Sequence, residues 1–109
     1  MLPTVSLLYF FAVFLFLVVV KSDPGIEPRS AKADLLKVIE KAEKTENVCF
    51  ECRGLIPKRG RHCYICRACI RKFDHHCFYI DNCVGEGNDR LFLLMLTVLL
   101  INGVLHLIL

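Results

Sequence analysis

Neither end of this sequence carries a charge. Residues 1–20 and 91–109 contain no Lys, Arg, Asp or Glu, so all 14 basic and all 11 acidic residues lie between Lys21 and Arg90. That absence excludes solvated tails. It divides the chain into an apolar segment, a polar stretch of 70 residues and a second apolar segment. At 1.5 Å rise per residue, each apolar stretch makes a helix roughly 28–30 Å long, about the thickness of a bilayer's hydrocarbon core. Two further absences bear on the first segment. No basic residue precedes its apolar run, and Val18-Val19-Val20-Lys21 offers no small-x-small cleavage site. Both are features a secretory signal peptide has, so a retained membrane helix over 1–20 is expected, with Pro3 at its start, where a missing N–H costs least. Apolar residues are also scarce between Val48 and Gly87. With 109 residues in all, the chain has room for one domain at most, and that domain needs something other than a large hydrophobic core.

The second span, 91–109, contains Asn102 and His106. A polar group at membrane depth is expected to face protein or a cavity, whereas His106 lies near the far end, where an interfacial position suits it. The polar stretch holds every Lys and Arg, with Lys21 and Arg90 directly at the span ends, which places it in the cytosol. Seven cysteines in a reducing compartment are poorly explained by disulfides, and all seven fall between Cys49 and Cys83. Metal binding or catalysis is the better expectation. Before them, Asp23-Pro24-Gly25 reads as a turn leaving the first span. Ala31 to Thr45 reads as a short solvated helix, with Ser30 as its cap and Glu40 and Lys44 spaced to pair.

The cysteine block is an interleaved repeat. Cys49, Cys52, His62 and Cys69 are spaced C-x2-C-x9-H-x6-C, and Cys63, Cys66, His76 and Cys83 repeat that spacing 14 residues later. Arg53 and Arg67, Ile56 and Ile70, Lys58 and Lys72, and aromatic Phe50 and Tyr64 obey the same shift. Two Cys3His sets are what closed tetrahedral zinc sites require, so two structural zinc ions are expected, supplying most of the folding energy of residues 48–90. A sequential partition of the ligands is the alternative, and it breaks the repeat.

Six cysteines and two histidines are thereby used, leaving Cys77, His75 and His106. Cys77 stands 14 residues past Cys63, where a third pair would open, but the partner position holds Ile80. The thiol is left available. His75, not assigned to metal, can accept its proton, and Asp74 can fix the imidazole tautomer. Zinc at the adjacent His76 would hold the turn and favour thiolate. An unpaired cysteine beside zinc ligands also fits a small buried residue or a spare ligand, and the residues alone leave both readings open. A membrane-tethered thiol suits an electrophile with a lipid tail and a soluble head, such as an acyl-CoA. Lys58, Arg59, Arg61, Arg67, Arg71 and Lys72 are candidates to meet its phosphates or anionic headgroups.

Asp74-His75-His76-Cys77 within this frame resembles the signature of DHHC-type protein S-acyltransferases. Pro57-x-Arg59-x-x-His62-Cys63, Asn82-Cys83-Val84-Gly85, and Asn88 and Phe92 beyond resemble further motifs of that family, as does Asp23-Pro24-Gly25. The resemblance implies structural zincs at both Cys3His sets and a nucleophile at Cys77. That cysteine would take a palmitoyl or other fatty acyl group from acyl-CoA and pass it to cysteines of substrate proteins by a ping-pong route. His75 would be the base, supported by Asp74. The implied partners are membrane lipid, palmitoyl-CoA and proteins with juxtamembrane cysteines. The sequence departs from the family pattern at Phe78-Tyr79, where Pro-Trp is usual, at Asp81 and at Ile56. The family has four membrane helices and a Thr-Thr-x-Glu motif, so a truncated core fragment is expected here.

The expected fold is therefore an α-helical membrane protein. Two transmembrane helices (1–20 and 91–109) flank a linker (21–47) and a cytosolic, loop-rich, double-zinc domain (48–90). Two other functions compete. A membrane-tethered zinc scaffold needs the metal sites but not Cys77. A nucleic-acid-binding zinc module would use the basic residues interleaved with Phe50, Tyr64 and Phe73, but membrane tethering and a net charge of only +3 speak against it.

Overall fold

The computed structural model describes residues 3–29, 35–42 and 46–109. Two long helices, α1 (Pro3–Val20) and α3 (Asp89–Ile108), bracket the chain. They are about 27 and 30 Å long at 1.5 Å per residue. Leu, Val and Phe fill both, and each is long and apolar enough to cross a bilayer. Only 22 % and 11 % of these spans is buried, whereas a core helix of a soluble protein would be mostly covered. Leu7, Phe10, Leu100 and Leu107 point outward, so the pair is apolar on its outside and needs an apolar covering.

The helices pack along one stripe each, Ala12, Leu15 and Val19 of α1 against Met95 and Val98 of α3. Asn102 continues the α3 stripe and is buried, as expected of a polar group at that depth. His106 is exposed in the last turn. A short helix, α2 (Leu35–Lys41), lies within the linker. Its expected cap Ser30, residues 31–34 and the expected pairing partner Lys44 lie outside the described residues.

The expectation of a loop-rich zinc domain is corrected. The cysteine block folds as three antiparallel hairpins: β1 (Glu46–Cys49) with β2 (Gly54–Pro57), β3 (Arg61–Cys63) with β4 (Ala68–Ile70), and β5 (His75–Cys77) with β6 (Asn82–Val84). Their registers repeat at the 14-residue shift, with Cys49 opposite Gly54, Cys63 opposite Ala68 and Cys77 opposite Asn82. Each turn closes on a left-handed residue, Arg53, Arg67 or Asp81. That conformation costs a non-glycine residue about 1–2 kcal/mol, so something must hold each turn closed.

The turn after α1 ties the helix pair to the hairpins. Asp23 Oδ1 accepts the N–H groups of Gly25 (2.8 Å) and Ile26 (3.0 Å), and these two bonds hold its carboxyl below the usual carboxylate range. Gly25 takes φ 99°, which only glycine adopts cheaply. Its carbonyl accepts Arg71 N–H at 2.9 Å, and Pro24 O accepts Gly87 N–H at 3.1 Å. Gly85 permits that approach, since a Cβ there would lie 2.5 Å from Ile70 Cγ2 and 2.6 Å from Pro24 O.

Candidate metal centres and nucleophile

The first cluster forms where β1, β3 and β4 meet. His62 Nδ1 lies 3.6 Å from Cys49 Sγ, 3.3 Å from Cys52 Sγ and 3.6 Å from Cys69 Sγ. In the second, His76 Nδ1 lies 3.6, 3.4 and 3.6 Å from the sulfurs of Cys63, Cys66 and Cys83. Within each set the four ligand atoms lie within 4.8 Å of one another. A tetrahedral zinc with Zn–S and Zn–N bonds of about 2.3 and 2.05 Å requires N···S edges of about 3.6 Å. The residues fit zinc. Each set is also a closed four-ligand set, as structural sites are, and the interleaving expected from the repeat is the arrangement found.

Thiol chemistry points the same way. Burial pushes the Cys69 and Cys83 thiols far up, and neighbouring sulfurs of the same cluster add to it. Three sulfurs in contact cannot all ionise without a cation among them. In both knuckles the second cysteine's N–H donates to the first cysteine's sulfur, Cys52 to Cys49 and Cys66 to Cys63, each at 3.4 Å.

The third hairpin keeps this frame without a second cysteine. Cys77 opens its turn, and Ile80, 1 % exposed, fills the position of Cys52 and Cys66 with a packed side chain. The N–H groups of Ile80 and Tyr79 still reach the Cys77 sulfur. Alternation along β5 turns His75 and Cys77 to one face and His76 to the other, toward its metal cluster. Asp74 Oδ2 meets His75 Nδ1 at 2.6 Å, which leaves Nε2 for the thiol. Burial raises the Cys77 thiol, but the hydrogen bond to His75 and the two backbone donors outweigh it, and the thiol falls below its ordinary value. His75 is raised in turn, first by Asp74 and then by Cys77. Asp74, His75 and Cys77 thus form one hydrogen-bonded chain, with the edge of His75 against Phe92 at 5.6 Å between ring centres.

Cys77 is only 7 % exposed, and it belongs to the same apolar cluster as Leu15, Val19, Ile80, Val84 and Met95. The thiol therefore sits at the feet of α1 and α3. Three polar side chains fasten it there. Asn82 Nδ2 donates to Ser22 O at 2.8 Å. Asn88 Nδ2 donates to Ser22 Oγ and to Cys83 O, each at 2.9 Å, while Asn88 Oδ1 accepts Gly85 N–H at 3.0 Å.

The sequence model of the DHHC palmitoyltransferase family matches residues 42–109. The chain belongs to that family. A comparison with curated proteins finds no match. DHHC palmitoyltransferases are membrane-bound acyltransferases, and the matched span includes both metal clusters, the Asp74-His75-His76-Cys77 run and α3, but not α1 or the Asp23 turn.

Not every expected group joins the site. His106 lies at the far end of α3 from Cys77. Arg71 and Lys72 are engaged by carboxylates: Arg71 pairs with Glu27 (3.2 Å) and Glu86 (3.0 Å), and Lys72 with Glu86 (2.8 Å). The fastening roles of Ser22, Asn82 and Asn88 were not read from the sequence. Asn82 and Asn88 stand at positions that resemble family motifs, but nothing in the sequence told that they reach back to the end of α1.

Proposed function

We propose that this chain is the core of a protein-cysteine S-palmitoyltransferase in which Cys77 carries the acyl group. The observation that carries the reading is the Asp74–His75–Cys77 chain placed at the feet of two apolar helices. In the first half-reaction the Cys77 thiolate attacks the thioester carbonyl of palmitoyl-CoA. The carbon–sulfur bond to CoA breaks, and the departing thiolate takes the proton that His75 received from Cys77. In the second, a substrate cysteine passes its proton to His75 and attacks the Cys77 thioester, restoring the thiolate. Asp74 holds the His75 tautomer that leaves Nε2 facing sulfur. Dividing the exchange this way is covalent catalysis, and burial of Cys77 among apolar side chains keeps water from hydrolysing the intermediate.

Cys49, Cys52, His62 and Cys69, and Cys63, Cys66, His76 and Cys83, would each hold one zinc. The metal would supply a crosslink between these segments and no acyl-transfer chemistry. In this reading α1 and α3 cross the membrane, and the positive residues at their ends, Lys21 and Arg90, put the zinc domain of residues 48–90 and the linker in the cytosol. The partners are bilayer lipid, fatty acyl-CoA and proteins whose cysteines lie close to the membrane surface. Mixing the membrane-embedded chain with palmitoyl-CoA and no acceptor should release a burst of one CoA per chain. A steady release without a burst, unchanged by Cys77→Ser, would contradict the covalent route.

A further inference from the structure

The two metal sites repeat each other in sequence and geometry, yet equivalent ligands have unequal surroundings. Cys52 is 6 % exposed, while Cys66, its counterpart, is exposed. After the Asp23 turn the chain runs beside β4. Ile26 bridges Ile70, and Glu27 N–H donates to Cys69 O at 2.8 Å. Arg29 lies two residues further along this path. Its Nη2 donates to Arg67 O at 3.0 Å, and its guanidinium hydrogen-bonds the Cys52 sulfur. Arg67 is the left-handed residue directly after Cys66, so one side chain touches a thiolate of the first site and the backbone of the second knuckle. Among the described residues, the hydrogen bonds of Cys66 go by contrast to groups of its own site, at Cys63, Cys83 and His76.

The charge of such a site makes that difference matter. Three thiolates, a neutral imidazole and a divalent cation sum to one net negative charge, and a guanidinium bonded to one sulfur offsets it. We propose that Arg29 is the outer partner of the first zinc site and makes the two sites unequal, so that metal is lost first from the second, through exposed Cys66. The inference rests on both clusters holding zinc. Its consequence reaches the reactive thiol. The hairpin bearing His75 and Cys77 is fastened to the second site through His76 and Cys83, so the labile metal is the one beside the nucleophile.

The test uses the whole zinc-loaded chain in detergent micelles. Zinc is counted first, and a count below two per chain would overturn the metal reading and this inference with it. With two zincs present, the chain is pulsed with isotope-paired iodoacetamide under a chelator, and peptide mass spectrometry gives a rate for each cysteine. The wild type should lose protection at Cys63, Cys66 and Cys83 before Cys49, Cys52 and Cys69. Arg29→Gln should speed the first-site cysteines by roughly tenfold and leave the second-site cysteines unchanged, with Arg29→Lys in between. Unchanged first-site rates in Arg29→Gln, or an acceleration shared by both sites, would overturn the inference while leaving the two zincs in place.

Discussion

Replacing Asn88 by alanine should loosen the joint between the cysteine-rich hairpins and both long helices. Asn88 is 1 % exposed, and its side chain joins three segments: Ser22 after α1, Cys83 of the second metal cluster and Gly85 before α3. The truncation leaves Gly85 N–H and Cys83 C=O inside the protein without those partners. At about 1–3 kcal/mol for each stranded group, the local cost is about 2–6 kcal/mol. At about 1.4 kcal/mol per decade, the opening equilibrium rises at least about 30-fold. Native-state hydrogen exchange in micelles reads that directly at the amides of Gly85 and Asp89, the latter bonded to Gly85 O at 2.9 Å. Asn88→Asp keeps the acceptor for Gly85 and should lose less at that amide. Exchange in Asn88→Ala within about twofold of wild type would refute the reasoning, because it would mean that the joint does not depend on these bonds.

Other outcomes follow from the same geometry. Removing zinc with a chelator should abolish the hairpin contribution to the circular dichroism spectrum and leave the helical signal, because the block has little apolar core beyond its cysteines; hairpins that persist without metal would contradict this. Asp74→Asn removes the group that raises His75 most. The imidazolium then deprotonates at lower pH, Cys77 loses its charged partner, and the alkylation-versus-pH midpoint of Cys77 should move upward from its depressed position; an unmoved midpoint would remove Asp74 from the chain. Gly85→Ala would drive a methyl group against Ile70 Cγ2 and Pro24 O. It should destabilise the domain by about 1–3 kcal/mol, read as a lower melting temperature, and an unchanged melt would show that the Asp23 turn can shift without cost.

How far the sequence disclosed this structure depended on the kind of signal. Metal ligands are chemically conspicuous, and the 14-residue shift was enough to sort eight of them into two interleaved sets and to single out Cys77. The strands were not legible. Each is three or four residues long, and five of the six carry Cys or His of the sites, so none is long enough to display the alternation of apolar and polar residues that marks a strand. Their register is set instead by the knuckle turns and the left-handed Arg53, Arg67 and Asp81, positions where nothing in the residue type announces a positive φ. The Asp23 turn was readable as a turn, but its docking on β4 and against Gly85 and Gly87 depends on contacts 42 to 63 residues apart, which no local pattern encodes. Arg71 and Lys72 looked like free cations for the same reason, since their carboxylate partners include one 44 residues away.

Labelling shows whether Cys77 forms a thioester. Membranes bearing the chain would be incubated with a clickable palmitoyl-CoA, comparing wild type with Cys77→Ser after confirming that both retain two zincs. A hydroxylamine-sensitive label on wild type that is absent from Cys77→Ser is the predicted result. An equal label on both, or none on a zinc-loaded wild type, would contradict it.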